Sequence, residues 1–206
     1  MVNGKRVELR LVDYEEHLKP SDRLVIAFAG GPQNVYQFGK TLEQLDCSYV
    51  LMRDSTQRYH HYGVQGIGDQ GEVGDYIANF WDHYDKYVIT IGVSSGAYAA
   101  LLYGQLGHAD EVIAISALTS RQPNGFDPVD HPFIVDPANP DVELLPYFKD
   151  GPIPVVKAFI SDGPDTRLDR QMIERIGVKP TVVPGFSHGD LARGMRDSGA
   201  LRELLS

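Results

Sequence analysis

The chain lacks several features that mark secreted, membrane or nucleic-acid-binding proteins. Cys47 is the single cysteine among 206 residues, so no disulfide can form within one chain and a reducing compartment is expected. No apolar run approaches the roughly 20 residues of a membrane-spanning helix, and the first residues show no apolar signal-peptide core. Lys and Arg number 19 against 28 Asp and Glu, a formal net charge of −9, which disfavours binding to phosphate backbones and anionic lipid. We therefore expect a cytoplasmic protein with no nucleic-acid or membrane partner.

Apolar runs typical of strands alternate with segments of helical period along the chain. Residues 24–29 (Leu-Val-Ile-Ala-Phe-Ala) are continuously apolar and end at two glycines, as in strands that are covered on both faces. Further strands are predicted at residues 7–12, 49–52, 87–91, 112–116, 155–160 and 181–183. Helices are predicted at residues 35–45, 73–81, 97–106, 169–176 and 191–205. The alternation predicts one α/β domain over residues 1–206 with a mostly parallel sheet, helices on both faces, and a Pro- and Asp-rich insertion or small cap at 121–152.

Two motifs share letters with nucleotide-binding sequences but lack their context. Residues 66–71 read Gly-Ile-Gly-Asp-Gln-Gly, yet a polar loop separates them from the preceding strand, whereas a dinucleotide fingerprint follows its strand directly. Gly39-Lys40-Thr41 resembles the end of a phosphate loop. However, Asn34 stands where that loop needs a glycine, and the helical spacing from Val35 onward predicts that Gly39 lies inside a helix. No cofactor is implied.

A serine lies in a G-x-S-x-G pattern at residues 92–96, Gly92-Val93-Ser94-Ser95-Gly96. An apolar strand precedes the pattern and an apolar helix follows it, which is the strand–turn–helix context of a nucleophile elbow. The sharp turn exposes the serine hydroxyl, and the flanking glycines let strand and helix pass closely. The helix N-terminus directs backbone N–H groups to the place where negative charge would develop. We therefore predict that Ser94 is a nucleophile rather than part of an ordinary Gly/Ser-rich turn.

A serine hydroxyl needs a base to accept its proton, and His188 is the histidine in the appropriate place. With such an elbow the chain order is serine, acid, histidine, with the acid after one late strand and the histidine after the next. His188 lies in the loop that leaves the last predicted strand, and three aspartates follow the strand before it. We favour Asp165, which has room to reach an imidazole. Asp169 comes second because it precedes a helical pattern and suits its N-cap, and Asp162 comes third because it lies close to the strand end.

The oxyanion of an acyl-transfer reaction needs hydrogen-bond donors. We predict the backbone N–H groups of Ser95 and Gly31 in this role. Gly31 lies in the loop after the strand at 24–29, where two adjacent glycines allow close approach and Pro32 has no N–H to offer. The alternative for these glycines is an ordinary turn.

A polar loop over residues 53–70 follows another parallel strand. Its Arg53-Asp54 and Tyr59-His60-His61-Tyr62 sequences lie at the sheet edge where sites open, so they could line a polar, sugar-like or carboxylate-bearing substrate. Asp54, His60 and His61 have no recognisable metal-ligand spacing, and we expect no metal site. A packed surface segment with satisfied polar groups is the favoured interpretation.

The sequence around Ser94, from Ser-Ser-Gly-Ala-Tyr-Ala-Ala to Leu-Leu-Tyr-Gly at 101–104, is similar to the elbow helix of small bacterial serine hydrolases. The chain resembles a compact member of the α/β-hydrolase superfamily from residue 24 to its end. Gly185-x-x-His188 followed by Arg-Asp-Ser-Gly at 196–199 resembles some such proteins found beside surface-polysaccharide genes. The resemblance implies a three-layer sandwich with little or no lid, with Ser94 as nucleophile, His188 as base and Asp165 as acid. Ala29 departs from it, because a histidine often precedes the oxyanion glycine, and this leaves the substrate class open.

The function expected from these residues is cleavage of a carboxylic ester through an acyl-enzyme. The expected partner is a small-molecule or saccharide ester carrying a small acyl or acetyl group. An acyltransferase would use the same residues and differ only in whether water or an alcohol removes the acyl group. A non-catalytic binding or scaffold module that retains the fold is the alternative from another class.

Overall fold

The structure is a computed structural model that describes residues 12–31, 35–84, 86–120, 142–163 and 166–206, and no side chains over 81–84. This part of the chain contains a seven-stranded sheet and helices that connect its strands. The strands are β1 (Tyr14–His17), β2 (Arg23–Phe28), β3 (Ser48–Met52), β4 (Tyr87–Val93), β5 (Glu111–Ile115), β6 (Val155–Ser161) and β7 (Thr181–Val183). The helices are α1 (Gly39–Leu42), α2 (Gln70–Tyr84), α3 (Ser95–Leu106), α4 (Arg167–Glu174), α5 (Leu191–Asp197) and α6 (Ala200–Leu205), with a 3₁₀ helix at Leu145–Phe148.

The sheet has the strand order β1-β3-β2-β4-β5-β6-β7, and every neighbouring pair is parallel except β1 with β3. The predicted mostly parallel sheet is therefore confirmed. Of the strand predicted at 7–12, residues 7–11 lie outside the described residues, and the described edge strand is β1. Because β2, β3, β4, β5, β6 and β7 run in one direction, their carboxyl ends meet along one edge of the sheet, where α/β proteins place their sites.

The central strands β2, β3, β4 and β5 are largely apolar on both faces because helices cover both faces. In β2, Leu24, Ile26 and Phe28 face the core formed with α2, α3 and α4, while Val25 and Ala27 face the core formed with α1, α5 and α6. The central α3 is buried from Gly96 to Gln105, packed against β4, β5 and α2. This is the predicted three-layer α/β architecture, and it explains why β2 reads as a continuous apolar run.

Two predicted helices are shortened or interrupted, and the other three start two or three residues earlier than predicted. The helix predicted at 35–45 is the single turn α1, because Phe38 has a left-handed backbone (φ 67°) and cannot continue a helix; Gly39 therefore begins α1 and does not lie inside it. The helix predicted at 191–205 is two helices, because Gly199 adopts φ 84° between α5 and α6. The helix predicted to start at Asp169 starts two residues earlier, at Arg167.

The predicted insertion at 121–152 is described only from residue 142 onward, and residues 121–141 lie outside the described residues. The described part pairs Glu143 with Ser120 in a β-bridge and then forms the 3₁₀ helix. Val142, Leu144 and Phe148 are buried in the core on the α2–α4 face. Among the helices of the described residues, none combines the length and the apolar character needed to cross a membrane.

Candidate active site

Ser94 lies at the turn between β4 and α3, in a backbone conformation that L-residues rarely adopt (φ 54°, ψ −118°). The glycines on either side of this turn lie where the backbone leaves no room for a side chain. A Cβ on Gly92 would lie 2.0 Å from the carbonyl oxygen of Gly96, and a Cβ on Gly96 would lie 2.3 Å from the carbonyl oxygen of Phe28. Any side chain at these two positions would push β4, α3 and β2 apart. The local sequence therefore forms the predicted strand–turn–helix elbow and holds the partly exposed Ser94 at the carboxyl edge of the sheet.

Three polar side chains meet at this edge in one hydrogen-bonded chain. The Nε2 atom of His188 lies 3.1 Å from Ser94 Oγ, and its Nδ1 atom lies 2.9 and 2.8 Å from the two carboxylate oxygens of Asp169. Because a carboxylate only accepts, Nδ1 carries the proton and Nε2 is left to accept the proton of the Ser94 hydroxyl. Asp169 is 1% exposed. The arrangement can remove a proton from Ser94 and stabilise the resulting imidazolium.

The aspartate beside His188 is Asp169, the second of the three that the sequence suggests. Asp165, the favoured one, lies outside the described residues. The carboxylate of Asp162 instead accepts a hydrogen bond of 2.8 Å from the N–H of Gly185. The expected N-cap role of Asp169 is wrong, because α4 begins at Arg167 and Asp169 lies within its first turn. The signal was present in the sequence: residue 169 shares a helix face with the buried Met172 and Ile173, at spacings of three and four.

Residues at the end of β5 form hydrogen bonds with both Ser94 and His188. The N–H of Ser94 donates to the carbonyl oxygen of Ile115 (2.9 Å), and the hydroxyl of Ser116 donates to the carbonyl oxygen of His188 (3.2 Å). Ser116 is fully buried and has φ 49°. Sequence analysis missed Ser116; the available signal is a polar residue directly after a buried strand that neighbours the elbow strand.

The loop after β2 brings the two predicted oxyanion residues together. A Cβ on Gly30 would lie 1.8 Å from the carbonyl oxygen of Val93, so this loop touches the end of β4. The side-chain amide of Gln37 accepts from the N–H of Gly30 (3.1 Å) and donates to its carbonyl oxygen (2.9 Å). At the next residue, the N–H of Gly31 lies 2.9 Å from Ser95 Oγ. Gln37, which sequence analysis did not single out, holds the backbone of this loop.

The polar loop at 53–70 packs against the loop after β2 and against α3. His60 and His61 are 1% and 5% exposed. His60 Nε2 donates to the carbonyl oxygen of Ala29 (3.1 Å), and His61 Nδ1 lies 2.5 Å from the Tyr98 hydroxyl. The Asp54 carboxylate accepts the N–H groups of Thr56, Arg58 and His60. Over the described ranges, no group of three or more His, Cys, Asp and Glu side chains is arranged to hold a metal ion.

His60 gives a testable pH dependence. Burial lowers the pKa of His60 below its ordinary 6.5, opposed in part by Asp54, by the Ala29 hydrogen bond and by Asp13. The folded protein therefore favours the neutral form of His60, and its unfolding free energy falls as the pH falls below 6.5, because the unfolded chain takes up this proton first. We expect the unfolding free energy of the wild type to fall with pH below 6.5 through this group, by at most about 1.4 kcal/mol per pH unit, the limit for uptake of one proton. The variant His60→Gln keeps an N–H donor toward Ala29 but has no imidazole to titrate. Its unfolding free energy should therefore fall less steeply with decreasing pH than that of the wild type.

Denaturant unfolding of wild type and His60→Gln between pH 7 and pH 5 measures the two slopes. The matched control is Ser198→Ala, because its hydroxyl bonds to the carbonyl oxygen of Met195 and does not titrate between pH 7 and pH 5, so the wild-type slope should be unchanged. Equal slopes for His60→Gln and wild type would refute the buried neutral imidazole.

The chain is similar to known proteins in its fold. No model of a known protein family and no curated protein sequence matches the chain. The structure of a monoacylglycerol lipase of Paleococcus ferrophilus is similar, with a TM-score of 0.60 and 16% identity over 95% of this chain and 98% of that chain. A capsule O-acetyltransferase of Neisseria meningitidis serogroup A has a TM-score of 0.59 and 14% identity over 98% and 97%. Acetyl xylan esterase 1 from Thermoanaerobacterium sp. has a TM-score of 0.53 and 12% identity over 95% and 80%.

These likenesses extend over nearly the whole of this chain. They confirm that the chain has the α/β-hydrolase fold that the sequence predicts.

Proposed function

We propose that the chain is a serine hydrolase that cleaves a carboxylic ester through an acyl-enzyme. The observation that carries the proposal is the hydrogen-bonded chain from Asp169 through His188 to Ser94, at the carboxyl edge of the parallel sheet. A serine, an imidazole and a buried carboxylate in this order form an activated nucleophile. The strained turn and the start of α3 support the same role, because they aim backbone N–H groups at the place where the oxyanion forms.

Each step of the proposed reaction uses groups of the chain itself. Ser94 Oγ attacks the ester carbonyl carbon while its proton passes to His188 Nε2, and the carbonyl oxygen becomes the oxyanion. Asp169 stabilises the imidazolium through Nδ1. The tetrahedral intermediate then breaks its bond to the alcohol oxygen, which leaves with the proton from Nε2, and the acyl group remains esterified to Ser94. Water attacks this ester with His188 as base, and a carboxylic acid leaves as Ser94 regains its proton.

The substrate proposed is a small-molecule or saccharide ester with a short acyl group. The net charge of −9 disfavours polyanionic substrates such as nucleic acids. Among the proteins of similar fold, an acetyl xylan esterase and a capsule O-acetyltransferase support a saccharide ester.

Acyl transfer to an alcohol is the second candidate function. Ser94 and His188 are only partly buried, so a hydroxyl group of a second substrate can reach the acyl-enzyme in place of water. The likeness to a capsule O-acetyltransferase over nearly the full length of both chains favours this alternative.

A panel of short-chain esters, acetylated sugars and thioesters tests the proposal. We expect the wild type to turn over at least one ester class and Ser94→Ala to lose about 10³-fold or more of that rate. Ser198→Ala is the matched control, because that residue directly follows α5, its hydroxyl donates to the carbonyl oxygen of Met195, and its removal should leave the rate unchanged.

Adding alcohols or sugars to the same reactions separates hydrolysis from transfer: free acid as the main product indicates a hydrolase, and a new ester indicates a transferase. Turnover by Ser94→Ala at the wild-type rate would contradict both candidate functions, hydrolysis and acyl transfer. A folded wild type with no turnover of any ester would favour the non-catalytic module.

A further inference from the structure

We propose that the side-chain hydroxyl of Ser95 donates a hydrogen bond directly to the oxyanion, and that the N–H of Gly31 acts one step behind it by holding that hydroxyl. The inference rests on the acyl-enzyme chemistry proposed above and adds a catalytic residue to it. It also changes the role predicted for Gly31, from a direct donor to a positioning group.

The N–H of Gly31 already has an acceptor. It donates to Ser95 Oγ at 2.9 Å, a contact that joins the loop after β2 to the first residue of α3. The loop is held on the other side, because Gln37 pairs with both backbone groups of Gly30 and His60 donates to the carbonyl oxygen of Ala29. Turning the Gly31 N–H toward a substrate would therefore require breaking its hydrogen bond to Ser95 Oγ in a loop whose neighbouring residues are held by hydrogen bonds.

The Ser95 hydroxyl is left with a proton to donate. A hydroxyl group has one donor and two acceptor lone pairs, so accepting the N–H of Gly31 leaves its own proton free. The N–H of Gly31 also polarises that O–H group, which strengthens it as a donor. Ser95 is only partly buried, so an atom of a substrate can reach the hydroxyl.

The backbone of Ser95 aims at the same place. Ser95 is the first residue of α3, so its N–H has no acceptor within the helix and points out at the N-terminus, where the helix dipole favours negative charge. The N–H and the hydroxyl of one residue are separated by three covalent bonds, so one oxyanion beside Ser94 can accept from both. The oxyanion hole then consists of both donors of Ser95, with Gly31 supporting the hydroxyl.

The two possible roles of Gly31 give opposite results for Ser95→Ala. If the hydroxyl is a donor to the oxyanion, its removal should lower kcat by about 10²-fold with KM within about twofold, as for loss of one oxyanion donor. If the N–H of Gly31 binds the oxyanion directly, the same substitution frees that N–H, and kcat should stay at or above the wild-type value.

The experiment measures kcat and KM of wild type, Ser95→Ala, Ser95→Gly and Ser95→Thr on an ester that the wild type hydrolyses, with circular dichroism to confirm folding. We expect Ala and Gly to lower kcat and Thr, which keeps a hydroxyl, to recover most of it. Ser95→Ala or Ser95→Gly at the wild-type kcat would overturn the proposal, as would a Thr variant no better than Ala.

The failure of this inference is distinguishable from failure of the proposed function. Inactive Ser94→Ala together with fully active Ser95→Ala would remove only the role of the Ser95 hydroxyl. Active Ser94→Ala would remove the acyl-enzyme itself.

Discussion

Replacing His188 with alanine is expected to lower kcat for ester cleavage by about 10³-fold or more. The imidazole is the group placed to accept the proton of Ser94, at 3.1 Å from the hydroxyl oxygen, and without it the hydroxyl is a weak nucleophile. The measurement is steady-state turnover of the best ester from the substrate panel. His17→Ala is the matched control, because His17 lies on the edge strand β1 with an exposed side chain and should not affect kcat.

The double variant Ser94→Ala/His188→Ala sharpens this expectation. Residues that act as one unit give non-additive losses, so the double variant should retain about as much activity as either single variant. A double variant whose loss equals the product of the two single losses would mean that the residues act independently. His188→Ala within tenfold of the wild-type kcat would show that another group is the base.

Replacing Asp169 with asparagine is expected to lower kcat by about 10³- to 10⁴-fold, the largest effect expected for an isosteric change. Both oxygens of its carboxylate lie within 2.9 Å of His188 Nδ1. An asparagine would remove the charge that stabilises the imidazolium and could present an N–H in place of an acceptor. His188 would then favour the tautomer with the proton on Nε2, which cannot accept a proton from Ser94.

The other two aspartates after β6 supply controls for this assignment. Asp165→Asn and Asp162→Asn should both stay within a few-fold of the wild-type kcat, since Asp162 accepts from the Gly185 backbone and not from the imidazole. A large loss in Asp165→Asn with an active Asp169→Asn would instead assign the acid to Asp165.

The fold was largely predictable because its central strands are buried on both faces. The apolar run that forms β2 and the runs that form β4 and β5 read as covered strands, and their alternation with helices predicts a parallel sheet. The helix boundaries were less predictable, because they depend on single backbone conformations. The left-handed Phe38 has no signal in the apolar pattern, and Gly199 breaks the last helix between two segments that share its period.

The residues of the site also separate into those that the sequence predicts and those that it does not. Ser94 was predicted from a local motif and His188 from the order of elements along the chain, and both signals are present in the sequence itself. The choice among three aspartates within eight residues depends on where α4 starts, which decides the face that carries residue 169. The contacts of Ser116 with His188 and of Gly31 with Ser95 join segments 72 and 64 residues apart. Contacts over such distances follow from the packed backbone and not from spacing in the sequence.

The most direct test of the account is covalent labelling of the folded protein with a fluorophosphonate, followed by intact-mass measurement and peptide mapping. A serine activated by an adjacent imidazole should take up one phosphonyl group per chain on Ser94, and Ser94→Ala should take up none. A folded wild type that remains unlabelled, or a label that persists in Ser94→Ala, would contradict the claim that Ser94 and His188 form an activated nucleophile.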